Sequence, residues 1–326
     1  MSEFLHKDIS NKSFLVTGGA GFIGSHIVSW LLERGAKKVR VLDNYLTGSA
    51  KNIDAAKSHP AFELFEGDIR DFDTCKKACE DIDHISHQAA LGSVPRSIKD
   101  PITSNDVNVT GFLNMLTAAK DANVKTFVYA SSSSVYGDEP NLPKVEYRVG
   151  NPLSPYAVTK KANELYADVF AKLYGMKLIG LRYFNVFGPR QDPHGPYAAV
   201  IPLFINGIMN RSSVFINGDG EQTRDFTFVE NAVQANILGM LTENESAFGE
   251  AYNIAVGENF SVNYLYQSIA EILGSDYPAT YREERSGDIR NSLADISKAQ
   301  KLLGYHPAVR FMDGLRKTVD YFKSTD

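Results

Sequence analysis

The 326-residue chain carries 34 Lys and Arg against 39 Asp and Glu, a formal charge of −5, and 43% of it is hydrophobic. A chain of this size and apolar content buries roughly three quarters of its unfolded surface, which excludes a disordered, collagenous or disulfide-framed protein. No run of either charge is present, which argues against nucleic-acid binding, although a few local arginines could still hold a phosphate. Cys75 and Cys79 lie four apart in DTCKKACEDI, with no second pair to complete a metal site, and read as reduced thiols. The N-terminus lacks an apolar leader and no apolar run nears the ~18 residues of a membrane span, so the expected location is cytoplasmic, with no membrane contact.

The first 130 residues alternate short apolar runs with helical patterns. Strands are predicted at Ser13–Thr17, Val39–Leu42, Phe62–Glu66, His84–His87 and Thr126–Ala130. A helix over Phe22–Arg34 has Ile23, Ile27 and Leu31 at four-residue spacing and closes at Gly35; a second covers Thr110–Lys120. This alternation predicts an α/β fold built on a doubly wound parallel sheet. A long helix should start at Ser154-Pro155, Ser as N-cap and Pro at the first position, and run to about Tyr174. Lys177–Arg182 reads as the next strand. Beyond Gly188, a stretch with Pro189, Pro193, Gly195 and Pro196 leads to a helix (Pro202–Met209), a short strand (Val214–Ile216) and the turn Asn217–Gly220. Val229–Leu241 and Tyr252–Ala255 look like a helix and strand returning to the main sheet. The expected organisation is a cofactor domain over 1–188, rejoined by 225–256, and a smaller interleaved substrate domain within 189–326.

Thr17-Gly-Gly-Ala-Gly-Phe-Ile-Gly24 follows a strand and opens a helix. Gly18, Gly21 and Gly24 permit a tight turn and let backbone N–H groups approach a pyrophosphate at the positive helix end, with Phe22 and Ile23 in the same turn. Asp43 closes the second strand 19 residues past Gly24, close to the ~20 expected of a carboxylate on a ribose. It would repel a 2′-phosphate, so the cofactor read here is NAD. Asn44 adjoins Asp43. Asp68-Ile69 and Thr47-Gly48 read either as adenine and ribose contacts or as ordinary loops.

Tyr156 and Lys160 stand at Y-x-x-x-K on the long helix and share a face. An unperturbed tyrosine, with a pKa of about 10, is a poor base at pH 7. A nearby ammonium and an oxidised nicotinamide both favour its phenolate. Ser131-Ser-Ser-Ser-Val-Tyr-Gly137 follows a strand at the end where parallel sheets present ligand-contacting groups.

TGGAGFIG, Asp43, HQAA (with Gln88, Ala89 and Ala90), SSSSVYG, SPYAVTK and RYFN together resemble the extended short-chain dehydrogenase/reductase superfamily, a Rossmann-type fold. More narrowly, HQAALGSVPRS, RYFNVFGPRQDP, INGDGEQTRDF and SGDIRNSLADISKA resemble the bacterial UDP-N-acetylglucosamine 4-epimerases. The resemblance implies Ser132 as the hydroxyl on the sugar O4, Tyr156 as the base, and Lys160 as its electrostatic partner and ribose ligand. Asn108, in N-x-x-G, takes a structural role tying helix to strand. Lyases of the superfamily carry Thr at the serine position, followed by Glu or Asp-Glu; Ser133 and Ser134 stand there instead and cannot act as carboxylate acids.

The same resemblance assigns Arg224 and Arg285 to the pyrophosphate, where the guanidinium fork is suited, with Asp288 beside them. It assigns Asn185 to the diphosphate or sugar. Phe215 falls on the strand that brackets uracil, with Ala199 and Val200 nearby; alone, Phe215 reads equally as core and Arg224 as a surface ion pair. Where glucose- and galactose-restricted epimerases carry a bulky Tyr, this chain has Ser292, whose small volume leaves room for a 2-acetamido group. Gly92, Ser93, Ser133, Ser134, Gln191 and Ala199 match the N-acetyl-preferring subgroup.

The implied reaction is 4-epimerisation of a UDP-N-acetylhexosamine through a 4-keto sugar. UDP-glucose/galactose or UDP-uronate epimerisation remains the alternative, and dehydration or decarboxylation is disfavoured. The resemblance also implies a homodimer formed by a four-helix interface from Thr110–Lys120 and Leu153–Tyr174. His84 and His87, three apart on a strand, should point to opposite faces, and no metal is expected.

Overall fold

The structure, a computed structural model, describes residues 7–193, 198–284 and 290–325. Its strands begin with β1 (Ser13–Thr17), β2 (Lys38–Asp43), β3 (Phe62–Glu66), β4 (His84–His87), β5 (Thr126–Ser132) and β6 (Leu178–Tyr183). Shorter strands follow: β7 (Val186–Phe187), β8 (Phe215–Asn217), β9 (Thr223–Arg224), β10 (Thr227–Phe228), β11 (Glu250–Ile254), β12 (Phe260–Ser261) and β13 (Thr280–Arg282). Seven of them make one sheet in the order β3-β2-β1-β4-β5-β6-β11, every neighbouring pair parallel. A parallel sheet is covered on both faces, which is why Ser13–Thr17 is buried throughout despite its two hydroxyls.

One face is covered by α1 (Phe22–Glu33) and α8 (Val229–Leu241), the other by α2 (Phe72–Cys79), α5 (Gly111–Asp121) and α6 (Pro155–Tyr174). His84 stacks on Phe14 and bonds Thr126, whereas His87 stacks on Phe127 against Phe112, so the two histidines do face opposite ways. Cys75 and Cys79 are free thiols in the core under α2, and burial pushes both up to about 12.

Three predicted strands have the observed ends, and the others shift by one or two residues. β5 runs two residues beyond Ala130 because Ser131 and Ser132 pair with Arg182 and Tyr183 of β6, so Ser132 lies in the ladder and not beyond it. The helix predicted from Pro202 begins at Val200 as α7 (Val200–Met209), since proline is tolerated in a first turn whose N–H groups lack helix partners. Between β4 and α5 the chain forms α3 (Val94–Lys99), α4 (Pro101–Asn105) and a π-turn over Asp106–Thr110, none of them predicted. The C-terminal α9 (Val262–Leu273), α10 (Ser297–Leu303) and α11 (Phe311–Thr325) were also unread. α9 and α11 close a second core around Phe187, Phe204, Phe226 and Phe311, with Phe260 stacked on Phe311 at 4.4 Å, whereas Ala299 and Leu303 of α10 join the core under the main sheet.

Candidate active site

The strand order reverses between β1 and β4, and a cavity of about 480 Å³ opens at their carboxyl ends. Gly18, Gly21, Phe22, Ile23 and Gly24 line it, with Gly21 as the N-cap of α1 and no side chain capping the helix. The first-turn N–H groups therefore lack helix partners and face the cavity. Two glycines are required sterically: a Cβ on Gly18, where φ is +68°, would lie 2.8 Å from Ala89 N, and one on Gly24 would lie 2.1 Å from Gly18 O. Asp43 is buried, and its two carboxylate oxygens accept from Ala20 N at 2.9 Å and Tyr45 N at 2.8 Å. Burial raises its pKa and these amides oppose the rise.

Asn44, Thr47 and Gly48 line the same cavity, as do Asp68, Ile69, Gln88, Ala89 and Ala90. Asp68 is held low, at about 2, chiefly by the Arg70 guanidinium, and also accepts from Asn44. An uncapped helix N-terminus, a glycine turn and a carboxylate at the end of β2 form one surface that suits NAD.

Ser132, Tyr156 and Lys160 meet on the adjoining wall. Ser154 caps α6 by accepting from Ala157 N at 3.2 Å, and Pro155 opens it. Tyr156 N donates to Ser97 Oγ at 3.0 Å, which fixes the start of the helix against α3. Lys160 is buried, donates from Nζ to Ala130 O at 2.8 Å, and is pulled down to about 8 by burial. The Tyr156 phenol is raised by burial, partly offset by a hydrogen bond with Ser132. Lys160 Nζ stands 5.9 Å from the Tyr156 ring centroid and bonds a strand carbonyl.

Asn108 sits in the π-turn and binds Leu91 N, Leu91 O and Thr159 Oγ1, joining the β4 loop to α6. Its Oδ1–Leu91 N distance is 2.7 Å. Glu164, one turn beyond Lys160, pairs bidentately with Arg182 of β6 and accepts from Ser131 Oγ at 2.7 Å. Gln88 is locked by Ser86, Asn236 and the Tyr183 hydroxyl. Sequence reasoning singled out neither cluster; the RYFN motif that contains Arg182 and Tyr183 was the available signal.

At the substrate end, Gly92, Ser93, Asn185 and Gln191 line the cavity. Ser93 and Asn185 carry positive φ, +98° and +35°, strained values for non-glycine residues that concentrate at ligand sites. Ser133 and Ser134 form the short turn after β5. Ser134 Oγ and Gln191 Oε1 are buried without a hydrogen-bond partner in the structure. Ala199 and Val200 at the start of α7, and Arg224, Phe215 and Ser292, do not line this cavity. Phe215 is 44% exposed on β8 with the Arg282 guanidinium 4.9 Å from its ring centroid, so the core reading of it fails. Arg224 donates to Thr223 O and Arg290 O, and Ser292 N donates to Thr223 O at 3.1 Å. Arg285 and Asp288 lie outside the described residues. Among the described residues no group of three or more His, Cys, Asp or Glu is placed to hold a metal, and no helix is long and apolar enough to cross a membrane.

The model of the NAD dependent epimerase/dehydratase family matches residues 14–255. The chain is 42% identical to a UDP-N-acetylglucosamine 4-epimerase from Methanobrevibacter ruminantium, solved with UDP-N-acetylmuramic acid; the match covers 97% of this chain and 100% of that one, with a TM-score of 0.92. It is 37% identical to a UDP-glucose 4-epimerase of Mycolicibacterium smegmatis, over 95% of this chain and 98% of the relative. A Bacillus cereus UDP-glucuronic acid 4-epimerase, solved with UDP-glucuronic acid and NAD, superposes with a TM-score of 0.90 at 32% identity, covering 96% of this chain and 100% of that one. With its cradle, sheet order and Ser-Tyr-Lys wall, the chain belongs to the NAD dependent epimerase/dehydratase family, within the extended short-chain dehydrogenases/reductases.

Proposed function

We propose that this protein is a UDP-sugar 4-epimerase whose preferred pair is UDP-N-acetylglucosamine and UDP-N-acetylgalactosamine. The observation that carries the reading is the meeting of Ser132, Tyr156 and Lys160 beside the NAD cradle, with serines at 133 and 134 where lyase chemistry needs carboxylates. Bound NAD⁺ supplies the acceptor that removes hydride from sugar C4 and the donor that returns it, and its positive ring favours phenolate. Ser132 orients the C4 hydroxyl through its own. Tyr156 takes the O4 proton as C4 becomes a ketone and gives it back after the sugar has presented its other face. Lys160, anchored on Ala130 O, holds positive charge beside the phenol and binds ribose. Gln88, Ala89 and Ala90 with Asp43 and Asp68 hold the cofactor.

Gln191 Oε1, on the cavity wall and buried without a protein partner, supports a polar substrate contact at that end. The choice of N-acetylated sugar rests on the small Ser292, the run of small or polar residues at Gly92, Ser93 and Ser133, and the 42% identity to an N-acetylglucosamine epimerase. Arg224, Arg285 and Asn185 are assigned to the diphosphate, with Phe215, Ala199 and Val200 around the base and Asp288 near Ser292. NAD-loaded protein incubated separately with UDP-N-acetylglucosamine, UDP-glucose and UDP-glucuronate should give C4 epimers by NMR, fastest with the first. A 4-keto-6-deoxy sugar or released CO₂ would overturn the epimerase reading.

We further propose a homodimer. Val158, Leu165, Val169 and Leu173 form an exposed stripe on α6, beside Ile98 of α3 and Ile102 of α4. Phe112, Met115 and Leu116 of α5 point into the subunit core. Light scattering should give twice the chain mass at micromolar concentration; a monomer refutes the dimer.

A further inference from the structure

The segment 290–295, which carries Ser292, is held from two sides. Thr223 N donates to Arg290 O at 3.0 Å and Ser292 N to Thr223 O at 3.1 Å, joining it to the C-terminal layer. Lys144 N donates to Leu293 O at 2.8 Å and Asp295 N to Lys144 O at 2.9 Å, joining it to the loop that follows the catalytic serines. Behind this strap lies Asp225, fully buried between β9 and β10. Its carboxylate accepts from Ala294 N at 3.3 Å, and from Val256 N and Gly257 N, both at 3.1 Å, at the end of β11. Its backbone carbonyl accepts from Asn185 Nδ2 at 3.1 Å. The buried side chain thus ties its own segment, which carries Arg224, to the strap that carries Ser292 and to the Val256–Gly257 turn, while its backbone carbonyl holds Asn185.

Ionised, the carboxylate accepts all three N–H groups at full strength; protonated, its acceptor capacity falls and one oxygen becomes a donor aimed among donors. We propose that Asp225 is a positioning residue for substrate, its ionised carboxylate locking the strap and the Val256–Gly257 turn into the binding arrangement and its protonation loosening both. The inference rests on the UDP-sugar reading of the site. Burial pushes the group up to about 7 despite the three amides. The largest charge acting on it is the carboxylate of Glu258, and the Tyr305 phenol also faces it. Burying a carboxylate this way costs stability, which marks the position as one kept for function.

A UDP-sugar has no group that titrates between pH 6 and 8, so affinity over that range reports the protein. If only the ionised form binds tightly, the dissociation constant rises about tenfold from pH 8 to pH 6. The test is calorimetric titration of UDP-N-acetylglucosamine, and of UDP-glucose, into NAD-loaded Tyr156→Phe protein, which binds without turnover, at pH 6, 7 and 8. Adding Asp225→Asn should weaken binding at pH 8 and flatten the profile. A flat profile without that substitution, or an unchanged slope with it, overturns the proposal. Amide exchange of Val256, Gly257 and Ala294 in the native holoenzyme, corrected for intrinsic pH dependence, should lose protection at pH 6 relative to pH 8. Unchanged protection also overturns it. If neither sugar nucleotide binds at pH 8, the UDP-sugar reading fails, and amide exchange alone decides the role of Asp225. The same measurement decides if Asp225→Asn does not fold.

Discussion

The two ends of the cavity are built in different ways. At the cofactor end, the β1–α1 turn and Asp43 come from one continuous stretch of chain, and a Cβ on Gly24 would meet Gly18 O at 2.1 Å. At the substrate end, Asn185, Asp225, Val256, Ala294 and Lys144 arrive from five separate segments joined by a few hydrogen bonds each. The β1–α1 turn at the heart of that cradle is a short chain path whose glycines already touch backbone. A site gathered from distant segments can change its specificity or respond to pH through one strut.

The largest effect should come where the two ends meet. Tyr156→Phe is expected to cut turnover by about 10²–10⁴-fold, the scale of a lost general base, with fold and NAD content retained. Near-normal kcat would remove the phenol from the reaction and the join between the ends with it. Gly24→Ala tests the local cradle: its Cβ would sit 2.1 Å from Gly18 O, so the turn must open and NAD binding should fall together with Tm, by about 1–3 kcal/mol of stability. Unchanged NAD affinity by titration would show the cradle to be more pliant than the contact implies. Ser292→Tyr tests the assembled end and should weaken kcat/KM for N-acetylated substrates by at least about tenfold while sparing UDP-glucose and UDP-galactose. Equal loss for both classes would sink the volume argument.

The smallest expected effect separates stability from binding. Asp225 stands at about 7 in the fold, against about 3.9 for an unperturbed aspartate, so between those values the folded state takes up the extra proton. The stability due to this group therefore grows as the pH falls from 8 to 6, by about 1 kcal/mol relative to Asp225→Asn, while substrate affinity falls. Denaturant unfolding of both proteins at the two pH values checks the sign. Parallel loss of stability and affinity would mean that protonation simply unravels the substrate end.

The Ser132–Tyr156–Lys160 set was implied by the family resemblance, while the sequence by itself was enough for the parallel sheet, the glycine turn and Asp43, because these depend on strand–helix alternation and on motifs a few residues long. Ser154 and Pro155 marked the start of α6 correctly for the same reason. Tertiary structure alone decided that β5 carries Ser132 inside the ladder, that Phe215 is exposed under Arg282, and that Ile98, Ile102, Val158, Leu165, Val169 and Leu173 are left exposed. It also decided the protonation environment. Lys160 and Tyr156 share a helix face in any sequence reading, but burial and the Ala130 carbonyl determine where the ammonium sits. The same holds for Asp225, an unremarked residue in TRDF until three amides from distant segments converge on it. Local patterning encodes elements and short motifs, whereas desolvation and long-range hydrogen bonds exist only once segments far apart in the chain are packed together.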